Sequence, residues 1–458
     1  MTLHHGAYPE VPDDLEQIRA TCVALMNEGR DNETLALIDR ALAIEPRDHQ
    51  FVGWRAHVLS LVGRHFDAVS AWRNYAALPW KPAFFQMGLG QGLVMCGDTE
   101  QGIVLLDHAH RTAVAENEWF APRATHLFGE ALLRAGDPAG FAHWLERNRS
   151  DTGNYRVDGI PMWSGEEDLR GKRVLITHQL GFGDQFLLFA CVQRWLAAGA
   201  QLMITCDTQI HALLQTSLPD CAVVSAPRPL THGEALPKAL LEEVRTFGPD
   251  LHSTLLHLPM LNAKTTAAPY FPAWLRAPEV QRQAAAEWAS GLRAAHPGKA
   301  LIGIFWDCVQ RHTNIADAKM RCSAVLRSLP FDGVERLVSH PDVAQRRHFV
   351  SLHHPAAQAF AGMPGSNVSV YGPGIDTFAD TAACIEQMDA VVAVDSGVAN
   401  LSAMLGKLTV VPLNAAGEWR WGVAGDASPW MANLKLVRQT VPGDWRSVID
   451  ETAALLAA

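Results

Sequence analysis

Apolar positions recur along the first third of the chain with the spacing of helices, and each helical stripe is broken by a glycine. The segments VALMNEGRDNETLALIDRALAIEP, HVLSLVGRHFDAVSAWRNYAALP and GLVMCGDTEQGIVLLDHAH share one rhythm, with 34 residues from Gly29 to Gly63 and 34 from Gly63 to Gly97. A looser fourth copy, LFGEALLRAGDPAGFAHWLER, places Gly136 a further 39 residues on. One apolar stripe precedes each glycine and a second follows it, which predicts helix hairpins. The glycine permits the tight turn, and neighbouring hairpins bury faces that one pair cannot bury alone.

After Arg149 the texture changes. The polar, glycine-containing stretch SDTGNYRVDGIPMWSGEEDLRGKR reads as a linker. Short apolar runs rich in β-branched residues then alternate with helical patterns. RVLITH (173–178) and QLMITC (201–206) are followed by FLLFACVQRWLAAGA and HALLQTSL. A second set contains 300–306, 334–340, 390–394 and 408–413 as strands, with 378–388 and 398–406 as helices between them. This is the texture of parallel α/β units, whose ligands bind beyond the strand C-termini. The expected class is therefore α/β behind an all-α front: repeats over 14–150, a linker or entry segment over 151–170, a Rossmann-like lobe over 171–285 and a second such lobe over 286–458.

Composition narrows the classes. At 458 residues, 48% hydrophobic and 19% charged, the chain is long and apolar enough for folded domains. A net charge of −10 without a basic stripe argues against a nucleic-acid partner. The absence of any apolar run of about 20 residues argues against a membrane span. The first residues carry neither a basic n-region nor an apolar h-region, and the expected location is the cytoplasm. The eight cysteines form no C-x-x-C pair, so neither disulfides nor a structural zinc site are expected. His4-His5 and His353-His354 read as surface histidines, and Cys308 and Cys322 as core or loop residues.

Two segments have the composition of a site. Leu180-Gly181-Phe182-Gly183-Asp184-Gln185-Phe186 follows the first strand of the α/β region. Phe186 stands where a dinucleotide fingerprint wants glycine, and Asp184 would repel a pyrophosphate at the helix start; Asp207 alone mimics the ribose-binding acid. Asp184 then either caps its helix or serves as a general base at the cleft edge. Ala393-Val394-Asp395-Ser396-Gly397-Val398-Ala399-Asn400 runs from a buried strand into a helix. There, backbone N–H groups and the Ser396 hydroxyl suit a diphosphate, while Asp395 holds the loop or a basic neighbour. Trp419, Trp421 and Trp430 beside Arg420 suit either stacking on a ligand or packing between lobes.

With these pieces in order, the chain resembles bacterial proteins that join tetratricopeptide repeats to a heptosyltransferase-like glycosyltransferase domain of the GT-B fold. The pieces are Trp163-Ser-Gly-Glu166, Gly181-Phe-Gly-Asp-Gln185, Ile302-Gly-Ile-Phe-Trp306, Phe378-Ala-Asp-Thr-Ala382, Asp395-Ser396, Glu418-Trp-Arg-Trp421, Ser428-Pro-Trp430 and Arg438-Gln439. The resemblance implies sugar transfer from a nucleotide-sugar by direct displacement, with no metal and no cofactor beyond the co-substrate. It makes Asp184 the base. It puts Asp395, Ser396 and Gly397 on the donor diphosphate, and Gly183, Trp306, Arg321 and Asn400 on the donor side of the cleft. The acceptor is expected to be a protein bound through the repeats, and a homo-oligomer stays open. The family has threonine at position 396 and histidine at position 400. Asn400 cannot bring a charge, which motivates the rival reading of a non-catalytic scaffold with a degenerate transferase-like domain.

Overall fold

The computed structural model describes residues 14–75, 82–147, 153–261, 270–308, 324–354 and 367–458. The chain divides into two compact units, Met1–Ala124 with Val309–Leu326, and Thr125–Cys308 with Arg327–Ala458.

The first unit is built from helix hairpins: α1 (Leu15–Asn27) with α2 (Asp31–Ile44), α3 (His49–Leu61) with α4 (His65–Tyr75), and α5 (Pro82–Met95) with α6 (Thr99–Ala115). Each turn is made by the glycine expected for it: Gly29, Gly63 and Gly97 have φ of 69°, 77° and 93°, where a side chain is strained. Asp48 caps α3 by accepting from the backbone N–H groups of Gln50 and Phe51. Ile18, Cys22, Ile38, Phe51, Leu59 and Trp72 are buried in a common core. Gly102 stands where alanine is usual in such repeats because a Cβ there would lie 2.8 Å from the carbonyl oxygen of Gly90.

A fourth hairpin, α7 (Ala121–Arg134) and α8 (Gly140–Trp144), turns at Gly136 with φ 84°. Its residues Leu133, Phe141 and Trp144 belong to the hydrophobic core of the second unit.

The second unit holds two parallel sheets. β2 (Arg173–Thr177), β3 (Gln201–Cys206), β4 (Ala222–Ser225) and β6 (Leu251–Thr254) form a four-stranded sheet in the order β4-β3-β2-β6. β7 (Ala300–Phe305), β8 (Arg347–Ser351), β9 (Val368–Val370), β10 (Ala390–Ala393), β11 (Thr409–Leu413) and β12 (Leu434–Arg438) form a six-stranded sheet in the order β12-β11-β10-β7-β8-β9. β1 (Tyr155–Arg156) and β5 (Glu234–Ala235) pair separately. The helix Glu279–Ala295 runs through residue 285. This is the expected architecture of helical repeats followed by two Rossmann-like lobes of GT-B type. One expected strand is a helix. Residues 334–340, expected as a strand, lie mostly in the helix Phe331–Ser339, because Val334, Leu337 and Val338 are the buried positions, and that is helical spacing.

Candidate active site

The two motif segments meet at the C-terminal ends of the central strands. β2 ends at Thr177, and a loop containing Leu180 in the left-handed region (φ 67°) leads into the helix Phe182–Leu188, whose N-cap is Gly181. β10 ends at Ala393, and Val394, Asp395 and the N-cap Ser396 lead into the helix Gly397–Met404. The two helix starts touch. A Cβ on Gly183 would lie 2.8 Å from Asn400 Nδ2, and one on Gly397 would lie 3.6 Å from the backbone nitrogen of Gly183. Glycine at both positions is what allows this approach.

Asp184 is not a bare helix cap. Its Oδ1 accepts a hydrogen bond from Arg420 Nη2 at 2.7 Å, and the two side chains are 16% and 7% exposed. The same Nη2 also serves Glu418 Oε2. Burial works against the Arg420 charge, but Asp184, Glu418 and Asp395 more than offset it, and the guanidinium is held above its usual range. For Glu418, burial favours the neutral acid, yet Arg420, Arg327, Arg147 and Arg134 outweigh it and push the carboxyl down to about 2. Asp395 goes the other way: burial raises its carboxyl, Glu418 adds to the rise, and Arg327 and Arg420 oppose it.

Asp395 holds a basic neighbour, as its position implied. Its backbone carbonyl accepts from Arg327 Nη1 at 3.2 Å, and its Oδ1 lies 3.9 Å from the same nitrogen. The Cys308 thiol also points at that carbonyl, at 3.5 Å, and burial pushes the thiol up to about 12. Ser396 Oγ accepts from the Ala399 N–H at 3.3 Å, which leaves its own O–H to donate. Asn400 is 1% exposed, and its Nδ2 donates to the Ser396 carbonyl at 2.9 Å.

Gly183, Asp184, Asp395, Ser396, Gly397 and Asn400 are thus brought together. Trp306 is 4% exposed at the end of β7, beneath the imidazole of His353 at 3.9 Å between ring centres. Arg321 and Cys322 lie outside the described residues, as do His4 and His5. His353 is a correction to the surface reading: it is 5% exposed, stacks on Phe305 at 4.3 Å, and burial takes its imidazole down to about 4. Asp207 Oδ2 accepts from Gln185 Nε2 at 2.6 Å and from Arg228 Nη2 at 2.7 Å, so its own lobe engages the acid that mimics a ribose ligand. Sequence reasoning missed Arg327, and it named Arg420 and Glu418 within a motif without giving either a role at the site. The available signal was Arg420 flanked by two tryptophans, a setting in which an arginine needs a buried counter-charge.

No protein-family model matches the chain. A curated relative, Protein FlbA of Caulobacter vibrioides, is 25% identical over 97% of this chain and 73% of its own length. Among solved structures, a glycosyl transferase family 9 protein from Veillonella parvula is 12% identical and covers 64% of this chain and 98% of that one, with a TM-score of 0.43. An O-GlcNAc transferase of Thermobaculum terrenum is 15% identical over 98% of this chain and 93% of that one, with a TM-score of 0.34. The E. coli ADP-heptose lps heptosyltransferase II is 12% identical over 62% of this chain and 98% of that one, with a TM-score of 0.38. No helix among the described residues is long and apolar enough to cross a membrane.

Proposed function

We propose that the chain is a metal-independent glycosyltransferase that moves a sugar from a nucleotide-sugar to an acceptor hydroxyl, on a protein held by the repeats in the cytoplasm. The observation that carries this reading is the Asp184–Arg420 pair at two facing helix starts. The donor diphosphate lies at the start of the helix Gly397–Met404, where unpaired N–H groups and the helix dipole favour an anion and the Ser396 hydroxyl can donate. Arg327 and Arg420 supply the positive charge that the leaving diphosphate requires. Asp184 takes the proton of the acceptor hydroxyl as its oxygen bonds to the anomeric carbon. The bond from that carbon to the diphosphate breaks in the same displacement, and the nucleoside diphosphate leaves with the electron pair.

The test is transfer of labelled sugar from a panel of nucleotide-sugars to protein in an extract of the source cells. Label in protein with the native chain, absent with Asp184→Asn, supports the reading.

Asn400 favours a second reading, a scaffold that binds without turnover. Buried and turned to its own helix, it brings no charge to the donor side. That reading predicts nucleotide binding with no label transferred.

A further inference from the structure

Arg420 must be held from outside its own backbone. Trp419–Trp421 is one 3₁₀ turn, closed by Trp421 N–H to Glu418 O at 3.1 Å and Gly422 N–H to Trp419 O at 3.0 Å. A single such turn has little stability of its own, so its position follows from what its side chains bury into. Trp419 is 1% exposed and meets Trp144 at 5.4 Å, Trp430 at 5.6 Å and Phe141 at 5.9 Å, all edge-on. Trp430 donates its indole N–H to the Leu133 carbonyl at 3.0 Å, and the Ser428 hydroxyl donates to the Arg420 carbonyl at 2.7 Å.

Leu133, Phe141 and Trp144 all come from the fourth hairpin, α7–α8. Phe141 also stacks on Tyr270 at 5.4 Å and meets Phe271 edge-on at 6.0 Å. Tyr270 is tied to the first lobe by its hydroxyl, which donates to the Pro259 carbonyl at 2.8 Å. Tyr270 and Phe271 also meet Trp430, at 5.4 and 6.1 Å, so the hairpin, the end of the first lobe and the Arg420 turn share one aromatic cluster, to which the hairpin gives Phe141 and Trp144. Arg134, at the turn of the hairpin, and Arg147, just past α8, add to the positive charge that keeps Glu418 ionised.

We infer that the α7–α8 hairpin, built on the repeat pattern, is a positioning element of the transferase site: Phe141, Trp144 and the Leu133–Trp430 hydrogen bond set where Arg420 meets Asp184. The catalytic consequence rests on the transferase reading. The hold on the Arg420 turn does not.

The test uses the full chain with Trp430→Phe, which keeps an aromatic ring but removes the N–H and part of the indole's bulk, and Phe141→Leu, with Trp72→Phe in α4 as the control. Amide exchange of residues 417–422 should rise about tenfold in the first two variants and not in the control. In the same folded variants kcat should fall about tenfold while the donor KM stays within about twofold, a split that lost stability alone does not produce. Unchanged exchange at 417–422 in both variants overturns the inference, as does a lowered Tm with unchanged kcat per folded molecule. Raised exchange in the variants of a chain whose native form transfers no sugar leaves the hairpin's hold on the turn standing and overturns the transferase reading instead.

Discussion

Arg420 Nη2 sits 2.7 Å from Asp184 Oδ1 and joins side chains 236 residues apart, one from each Rossmann-like lobe. Both are mostly buried, and Glu418 competes for the same nitrogen. Removing the guanidinium strands the mostly buried Asp184 carboxylate, while Glu418, 40% exposed, keeps water as a partner. Arg420→Gln should cost about 3–5 kcal/mol of stability, the range for breaking a buried pair. Guanidinium unfolding of the full chain checks this, and a loss below about 1 kcal/mol would mean that the pair is solvated.

Asp184→Asn keeps the shape and a hydrogen-bond acceptor for Arg420 but cannot take a proton. Sugar transfer should drop at least about 100-fold with the far-UV spectrum kept, and Tm should fall less than in Arg420→Gln because Glu418 still neutralises Arg420. Full activity in this variant would remove Asp184 as the base.

Gly183→Ala tests the closeness of the two helix starts. The new methyl would lie 2.8 Å from Asn400 Nδ2 and 3.4 Å from Arg420 Nη1. Overpacking of about 1–3 kcal/mol should outweigh the helix propensity gained, about 1 kcal/mol. Adding Asn400→Ala clears the nearer clash, so a double-mutant cycle should show a coupling of at least about 1 kcal/mol. Simple additivity would mean that the helices stand further apart.

Acid should destabilise the second unit through its buried histidines. Burial holds His178, His252, His257, His348 and His353 down at about 4 in the folded chain, against 6.5 for a free imidazole. Between those values the unfolded chain binds protons that the folded chain does not, so stability falls as pH falls from 6.5 to 4 and is level above 6.5. Tm measured from pH 8 to pH 4.5 should be flat and then drop. A Tm that stays level down to pH 4.5 would contradict the burial of these rings.

Much of the fold was legible because its signals are local. A glycine forced to positive φ marks each repeat turn, and apolar β-branched runs mark β2, β3, β7, β10 and β11. β6 and β8 escaped because LHST and RHFVS carry histidines, yet His252 and His348 are each 2% exposed and bury as core residues do. The stretch 334–340 read as a strand because Val334 and Val338 hid a helical spacing. At the site, Asp184 and Ser396 could be found from the strand–turn–helix pattern around them. Arg420 stood out beside its tryptophans but its partner did not, since nothing local tells which carboxylate, over two hundred residues away, neutralises it.

The most direct test of the donor site is thermal unfolding of the full chain with ADP, GDP, UDP, CMP, dTDP and NAD in turn. A nucleoside diphosphate at about 100 times its dissociation constant should add about 2.7 kcal/mol, a rise of several degrees. The account predicts such a rise with one nucleoside diphosphate, none with NAD, and its loss in Arg327→Gln. No shift with any of them, in folded protein, would contradict it.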